Sequence, residues 1–213
     1  MTPSNSISYL ATFLLAGMLS GSVSFAETVS RSYSYFTIGG ATPAELESEM
    51  SRLGPQIKGS AYRHPGATRM EFASRVGYGS RNGRCKIVSA QVSIKANVIL
   101  PRWKRPGNAD AGARLFWDVL SADIVRHEES HLVIARNHAR KLERELKALP
   151  ARKNCELMSR DAENRKDKIM ADHDREQQRF DAIEGAGLEK RLLNKLQREI
   201  DARLQAKAAA QNP

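Results

Sequence analysis

The first half of the chain shows the two-residue alternation of apolar and polar positions that is typical of strands. It is clearest over residues 85–100, where alternate positions are Val88, Ala90, Val92, Ile94, Ala96, Val98 and Leu100. Such a pattern indicates one buried and one solvated face. Weaker strand signals occupy 32–38 and 68–78, and the Asn82-Gly83 pair before the long strand predicts a hairpin. We therefore expect a small antiparallel sheet.

Helical patterns fill most of the remaining chain. Thr42-Pro43-Ala44-Glu45 reads as a capping box with proline at the first helical position, which predicts a short helix ending near residue 53. We predict further helices over about 111–120, from there to 149, and over about 155–180. The predicted fold is α+β, a small antiparallel sheet from the N-terminal half packed against a C-terminal set of long helices.

The C-terminal residues after Gly185-Ala186-Gly187 form a separate pattern. Apolar residues recur there at four-residue spacing, at Leu188, Leu192, Leu196, Ile200 and Leu204. This spacing predicts an amphipathic helix over the tail, residues 185–213. The helix either packs back on the rest of the chain or binds a partner.

The N-terminal 26 residues contain no charged side chain and include an apolar run over 10–19. This run has the length of a signal-peptide core, and Ser24-Phe25-Ala26 reads as a cleavage site, although a positively charged start is missing. We predict a signal peptide over 1–26 and a periplasmic or secreted mature chain. A short N-terminal membrane anchor is the alternative.

Composition changes this picture in two respects. With 34 Lys and Arg against 24 Asp and Glu, the formal net charge is +10. In an exported protein this charge is suited to contact with an anionic membrane surface or envelope polymer, with a simply solvated surface as the alternative, and we expect no nucleic-acid partner. The two cysteines, Cys85 and Cys155, are expected to form a disulfide bond outside the cytoplasm, with two free thiols as the alternative. The sequence does not indicate an oligomeric state.

The candidate chemistry lies in the segment from His127 to His131, which has the form H-E-x-x-H. On a helix, residues four apart lie about 40° apart in azimuth, so both imidazoles can bind one Zn²⁺ ion. Glu128 would then act as general base, as in zinc peptidases. The alternative is a solvated charged helix face that has this pattern by chance.

The positions of these residues on the helix support the metal site. Glu128 and His131 fall within the apolar stripe formed by Ala135, Ala139, Leu142, Leu146 and Leu149. A carboxylate that faces a core costs several kcal/mol unless it has a partner, and a metal site supplies one.

A third metal ligand has to come from another element. His138 lies about 10 Å beyond His131 along a continuous helix, so we expect it to be structural or on the surface. A helical hairpin centred on Pro150 would place residues 170–176 opposite the histidine pair. We predict His173 as the third ligand, with Asp172, Asp174, Asp181 and Glu184 as alternatives.

Together these segments resemble a bacterial family catalogued as a domain of unknown function, number nine-two-two, and described as predicted secreted zinc-dependent proteases. The resemblance extends to about residue 184. It rests on the stretch YFTIGGATPAEL over 35–46, LPRW over 100–103, RHEESH over 126–131, and the two cysteines. It implies zinc bound by His127 and His131, with Glu128 as the general base.

One position departs from the family pattern, in which a Tyr-Asp segment is followed by His-Gly. Here Phe180-Asp181 is followed by Ala186-Gly187. If the family histidine is a ligand, this chain uses His173 in its place or has a weakened site.

The sequence thus predicts a zincin-like metallohydrolase domain over 27–184. We expect a zinc metallopeptidase that acts on a peptide or protein in the cell envelope. The alternative is a non-catalytic envelope protein with a structural or vestigial metal site and a basic helical surface that binds a partner.

Overall fold

The computed structural model describes residues 28–57 and 61–211, which form three strands and four helices. The predicted signal peptide lies outside these ranges. In chain order the elements are β1 (Thr28–Ile38), α1 (Pro43–Leu53), β2 (Ala67–Arg81), β3 (Arg84–Trp103), α2 (Ala111–Lys147), α3 (Cys155–Ala186) and α4 (Leu188–Gln211).

The sheet is mixed, with β3 in the centre, β2 antiparallel to it and β1 parallel to it. The prediction of a purely antiparallel sheet is therefore wrong for β1. β1 ends with Ile38 beside Trp103, and β2 starts with Ala67 beside Ile99, at the same end of the sheet. Because β2 runs back from that end and the hairpin reverses the chain again, β3 runs in the direction of β1. Alternation within a strand carries no information about this direction.

The predicted hairpin between β2 and β3 is confirmed. Asn82 and Gly83 both have positive φ angles, 52° and 70°, as a two-residue turn of this type requires. β3 has a bulge opposite Gly77 and Tyr78, because Gly77 pairs with Ser89 and Tyr78 pairs with Ile87, which leaves Val88 between them without a partner in the register. Ile87 therefore faces the core, whereas Val88 is 67% exposed, so the prediction that Val88 is buried is wrong.

The core lies between β3 and α2. Alternate residues of β3 from Ala90 to Leu100 are buried, and they share one cluster with Ile124, Leu132 and Leu142 of α2. α2 is a single helix of 37 residues, where the sequence predicted two. Neither Gly nor Pro occurs between Leu120 and His127, so nothing in the chain ends the helix there.

The start of α3 is attached to β3. Cys85 and Cys155 form a disulfide bond, which confirms the predicted pairing. Beside it, the backbone N–H groups of Cys85 and Arg152 each donate to the carbonyl of the other residue at 2.8 Å. These contacts fix where α3 begins relative to the sheet and to α2.

α4 packs back on the domain through apolar contacts of its first half, and Arg203 in its second half binds Asp118 of α2 at 3.3 Å. Leu192 contacts the core cluster, but no α4 side chain is fully buried. Within the two described ranges, every helix is too short or too polar to cross a membrane.

We expect loss of the disulfide to destabilise the fold markedly. It closes a loop of 70 residues, and restricting the unfolded chain in this way is worth on the order of 4 kcal/mol. Urea unfolding of the oxidised protein and of the Cys85→Ser/Cys155→Ser variant measures the difference. Coincident unfolding curves would show that the disulfide does not stabilise the native state.

Candidate metal centre

Three atoms that could serve as metal ligands lie close together where α2 packs against α3, and we call their residues the donor group. The Nε2 atoms of His127 and His131 lie 3.1 Å apart, because the two residues are one helical turn apart on α2. Asp181 of α3 places its Oδ1 atom 3.2 Å from each of them. In the part of the chain that the structure describes, these are the residues whose grouping could hold a metal ion.

Phe180 holds the two imidazole rings in this arrangement. Its ring stacks on His127 with centroids 4.9 Å apart, and it meets the His131 ring edge-on at 5.2 Å. Since Phe180 precedes Asp181 on α3, one turn of this helix supplies both an aromatic contact for the histidines and the carboxylate that faces them. The geometry of the group therefore depends on the register of α3 against α2.

The electrostatics of the group favour a positive charge between the donors. Burial opposes ionisation of Asp181, but the hydrogen bonds from His127 and His131 outweigh it and hold the pKa of the carboxyl well below its usual range. Burial likewise opposes protonation of His131, yet hydrogen bonds to Asp181 and Gln177 raise the pKa of its imidazole. A cation at this point would meet a carboxylate that is already ionised.

Glu128 lies beside the group and is buried, with 4% of its surface exposed. Thr68 of β2 donates a hydrogen bond from Oγ1 to Oε2 of Glu128 at 2.8 Å. Burial raises the pKa of the Glu128 carboxyl, and this hydrogen bond opposes the shift in part. Thr68 thus holds a carboxylate whose burial makes it a stronger base than an exposed glutamate.

Gly66 allows the chain to pass close to Glu128. A Cβ atom at residue 66 would lie 2.8 Å from Oε1 of Glu128 and 2.9 Å from Cγ2 of Ile124. Both distances are too short for a carbon atom, so any larger residue would displace the carboxylate or α2. The absence of a side chain at this position lets the segment before β2 cover Glu128.

A cavity of about 300 Å³ opens beside these residues. The cavity is lined by His127, Glu128 and Asp181 and by four apolar side chains, those of Pro65, Leu120, Ile124 and Leu188. A molecule in this cavity would contact both the donor group and the buried carboxylate. The arrangement is that of a binding site with a few polar groups on an apolar wall.

The structure does not bring His173 into the donor group. His173 is buried, its Nδ1 atom lies 3.0 Å from Oδ1 of Asp174, and its Nε2 atom lies 2.9 Å from Nε2 of Gln177. The prediction took Pro150 as the centre of the helical hairpin, but α3 begins only at Cys155. Lys141 pairs with Asp172 and His131 with Gln177, several residues further along α3 than a centre at Pro150 predicts. Asp181, one of the alternative ligands in the prediction, therefore lies opposite the histidine pair.

The carboxylates of Asp172 and Glu184 lie outside the donor group and bind cationic side chains, although Oε2 of Glu184 also lies 3.9 Å from Nδ1 of His127. Asp172 binds Lys141 and Arg175, and Glu184 binds Arg126 and Arg191. His138 is buried, with its Nε2 atom 2.8 Å from Oε2 of Glu176 and its ring edge-on to that of His173. It lies outside the donor group and packs between α2 and α3.

Sequence patterns assign no role to four residues that support the site, although Phe180 belongs to a segment that matches the family pattern. Gly66 and Thr68 act across the fold from Glu128, and neither belongs to a motif. Gln177 and Phe180 follow the window that the hairpin count placed opposite the histidines. The spacing of polar residues along α3 could locate them only once the start of that helix is known.

Comparison with known proteins assigns the chain to a family. Residues 33–187 match a family of bacterial proteins of unknown function, DUF922. The chain belongs to this family. No curated protein and no solved structure matches it. The DUF922 region contains β3, α2 and α3 with the complete donor group, and it ends at Gly187, where α4 begins.

α4 is attached to the DUF922 region by an ion cluster around one buried carboxylate. Asp123 of α2, whose side chain is 4% exposed, accepts hydrogen bonds from Arg191 at 3.1 Å and Lys195 at 2.7 Å. Arg126 binds both Asp123 and Glu184, and Arg191 also reaches Glu184. Because Asp123, Glu184 and Arg191 line the cavity, this cluster forms part of its wall.

We expect Asp123→Asn to loosen α4 and to lower the free energy of unfolding at neutral pH by about 2–4 kcal/mol. Burial raises the pKa of the Asp123 carboxyl, but the hydrogen bonds from Arg191, Lys195 and Arg126 outweigh it, and the net shift is downward. Because the pKa of the Asp123 carboxyl is lower in the folded state, its ionised form stabilises that state fully at pH values above the unfolded-state pKa of about 3.9. This stabilisation is lost as the pH falls through the pKa of the folded state.

The difference in unfolding free energy between the native protein and Asp123→Asn should therefore be largest near neutrality and shrink below about pH 4. Asp167→Asn, an exposed change on α3, serves as the control. A difference that is constant from neutral to acid pH would contradict this account of the cluster.

Proposed function

We propose that this DUF922 chain is a zinc-dependent metallopeptidase that acts in the periplasm or outside the cell. The observation that carries the proposal is the convergence of His127 Nε2, His131 Nε2 and Asp181 Oδ1 at 3.1–3.2 Å beside the buried carboxylate of Glu128.

The spacing of the donor atoms fits zinc. Zinc binds imidazole nitrogen at 2.0–2.1 Å and carboxylate oxygen at 2.0–2.2 Å, so tetrahedral ligands lie about 3.3–3.4 Å from one another. The distances among His127, His131 and Asp181 are within a few tenths of an ångström of that value. Two imidazoles and one carboxylate are also a donor set that catalytic zinc sites use.

The number of donors favours a catalytic over a structural site. Structural zinc sites are closed by four protein ligands, whereas catalytic sites have three and leave one position open. Here three side chains converge, and His127 and Asp181 line the cavity that Glu128 also faces. This supports a peptidase in preference to a non-catalytic envelope protein with a structural metal.

The chemistry divides between the metal and Glu128. A zinc ion held by His127, His131 and Asp181 would supply Lewis-acid chemistry, lowering the pKa of a bound water molecule and polarising the carbonyl group that is attacked. Glu128 takes one proton of the attacking water on its carboxylate, and it delivers that proton to the amine nitrogen as the peptide C–N bond breaks. Thr68 orients the carboxylate through Oε2, and burial raises the pKa of Glu128, which makes the carboxylate a better base.

The N-terminal segment and the charge support the proposed location and substrate class. An uncharged segment with an apolar core over 10–19 and a small-residue cleavage site supports export. The substrate is then a peptide or protein of the cell envelope. The net charge of +10 suits a protein that works near an anionic membrane surface or envelope polymer.

Glu128→Gln should abolish peptide hydrolysis and keep the metal. The amide cannot accept the proton from water, and loss of a general base lowers kcat by about 10²–10⁴-fold. Zinc content by atomic absorption and cleavage of a peptide library measure both properties, with the exposed Glu199→Gln as the matched control. Equal hydrolysis by the native protein and Glu128→Gln would refute the peptidase assignment.

Asp181→Ala should weaken zinc binding more than His173→Ala does. Removing a metal ligand costs more than the roughly 10–100-fold in affinity that an outer hydrogen-bond partner contributes. Competition with a chromophoric chelator measures the affinities, and Asp167→Ala on the exposed face of α3 is the control. The opposite order would make His173 the third ligand.

A further inference from the structure

Gln177 makes three hydrogen bonds at the junction of α2 and α3. Its Oε1 atom lies 2.6 Å from Nδ1 of His131. Its Nε2 atom lies 3.1 Å from the backbone oxygen of His131 and 2.9 Å from Nε2 of His173. One amide group therefore contacts both the ring and the backbone of a residue in the donor group.

The direction of these bonds follows from the chemistry of the partners. A backbone carbonyl oxygen only accepts hydrogen bonds, so the amide end that faces the His131 carbonyl is the NH₂ group. The amide oxygen of Gln177 then faces Nδ1 of His131 and accepts its proton. In the neutral ring, which is the form that binds a metal, the proton of His131 is thereby assigned to Nδ1, and the lone pair of Nε2 faces His127 and Asp181.

The side chains behind Gln177 agree with this direction. Because the NH₂ group of Gln177 also faces His173, Nε2 of His173 accepts a hydrogen bond. The proton of the His173 ring is then on Nδ1, which donates to the carboxylate of Asp174 at 3.0 Å. The hydrogen bonds thus form one continuous series, in which each donor meets an acceptor, from Asp174 through His173 and Gln177 to His131.

We propose that Gln177 is a positioning residue of the metal centre, which fixes the tautomer and ring orientation of His131 and is itself held by His173 and Asp174. The inference rests on the proposed zinc-dependent function and extends it to residues that do not touch the ion. It also makes His173 a hydrogen-bond partner that holds Gln177, in place of the predicted third metal ligand. A histidine that binds zinc commonly donates its second ring N–H to an outer partner, and loss of that partner lowers metal affinity about 10–100-fold.

The test compares three variants in the full chain. Gln177→Met removes the acceptor and the donors while keeping the length of the side chain. Gln177→Glu keeps an oxygen that accepts from Nδ1 of His131. Gln178→Met makes the same chemical change at the next residue, which is exposed. Circular dichroism and thermal unfolding establish that each variant is folded.

Two measurements report on the role. Competition with a chromophoric chelator gives the zinc affinity. Nitrogen-15 NMR of the zinc-loaded protein reports the Nδ1–H proton of His131, whose exchange with water is slow when it is held in a hydrogen bond. We expect Gln177→Met to lose about 10–100-fold in zinc affinity and the slow proton signal. Gln177→Glu should stay within about tenfold of the native affinity and keep the signal, and Gln178→Met should match the native protein.

The outcomes separate this inference from the function on which it rests. If the native protein binds zinc and Gln177→Met binds it equally well with the same proton signal, Gln177 has no positioning role and the zinc site stands. If both Gln177→Glu and Gln177→Met lose the metal equally, the hydrogen-bond acceptor is not what matters, and the inference fails. If the native protein binds no zinc, the proposed function fails, and this role fails with it.

Discussion

The attachment of α3 to β3 is the constraint on which the candidate metal centre depends. The Cys85–Cys155 disulfide and the paired backbone bonds between Cys85 and Arg152 hold the start of α3 against the central strand. α2 packs along the same strand, so both helices take their positions from β3. A continuous helix transmits that register over its length, and Asp181, roughly 40 Å further along α3, comes to lie opposite the histidine pair. A shift by one residue in the start of α3 would turn Asp181 away by about 100°.

The sheet contributes to the centre in a second way. Burying Glu128 in an apolar stripe opposes folding unless its carboxylate has partners, and Thr68 at the start of β2 supplies one of them. Gly66 permits this contact because no side chain separates the incoming strand from the carboxylate. Polar groups that are placed in a core at such a cost are most often found at functional sites. The same reasoning applies to His131, which is held by Gln177 on one side and by Asp181 on the other.

Local features of this chain could be predicted from the sequence, whereas features set by distant contacts could not. The Asn82-Gly83 turn, the Thr42 cap of α1 and the proximity of His127 to His131 follow from spacing within a few residues. The direction of β1 depends on which end of the sheet α1 reaches, and the exposure of Val88 depends on a bulge in β3, which becomes visible only in its pairing with β2. Asp181 faces the histidines because Arg152 pairs with Cys85 before α3 begins, and no pattern in α3 itself contains that information. The pairing of the two cysteines could be predicted because the chain has only two.

The position of a bound ion tests the central claim most directly. Crystals of the mature protein loaded with zinc, measured at wavelengths on both sides of the zinc absorption edge, would locate the metal by its anomalous scattering. The account predicts one peak within about 2.0–2.2 Å of His127 Nε2, His131 Nε2 and Asp181 Oδ1. A peak between His138 and His173, or the absence of any peak on α2 and α3 at full zinc saturation, would contradict it.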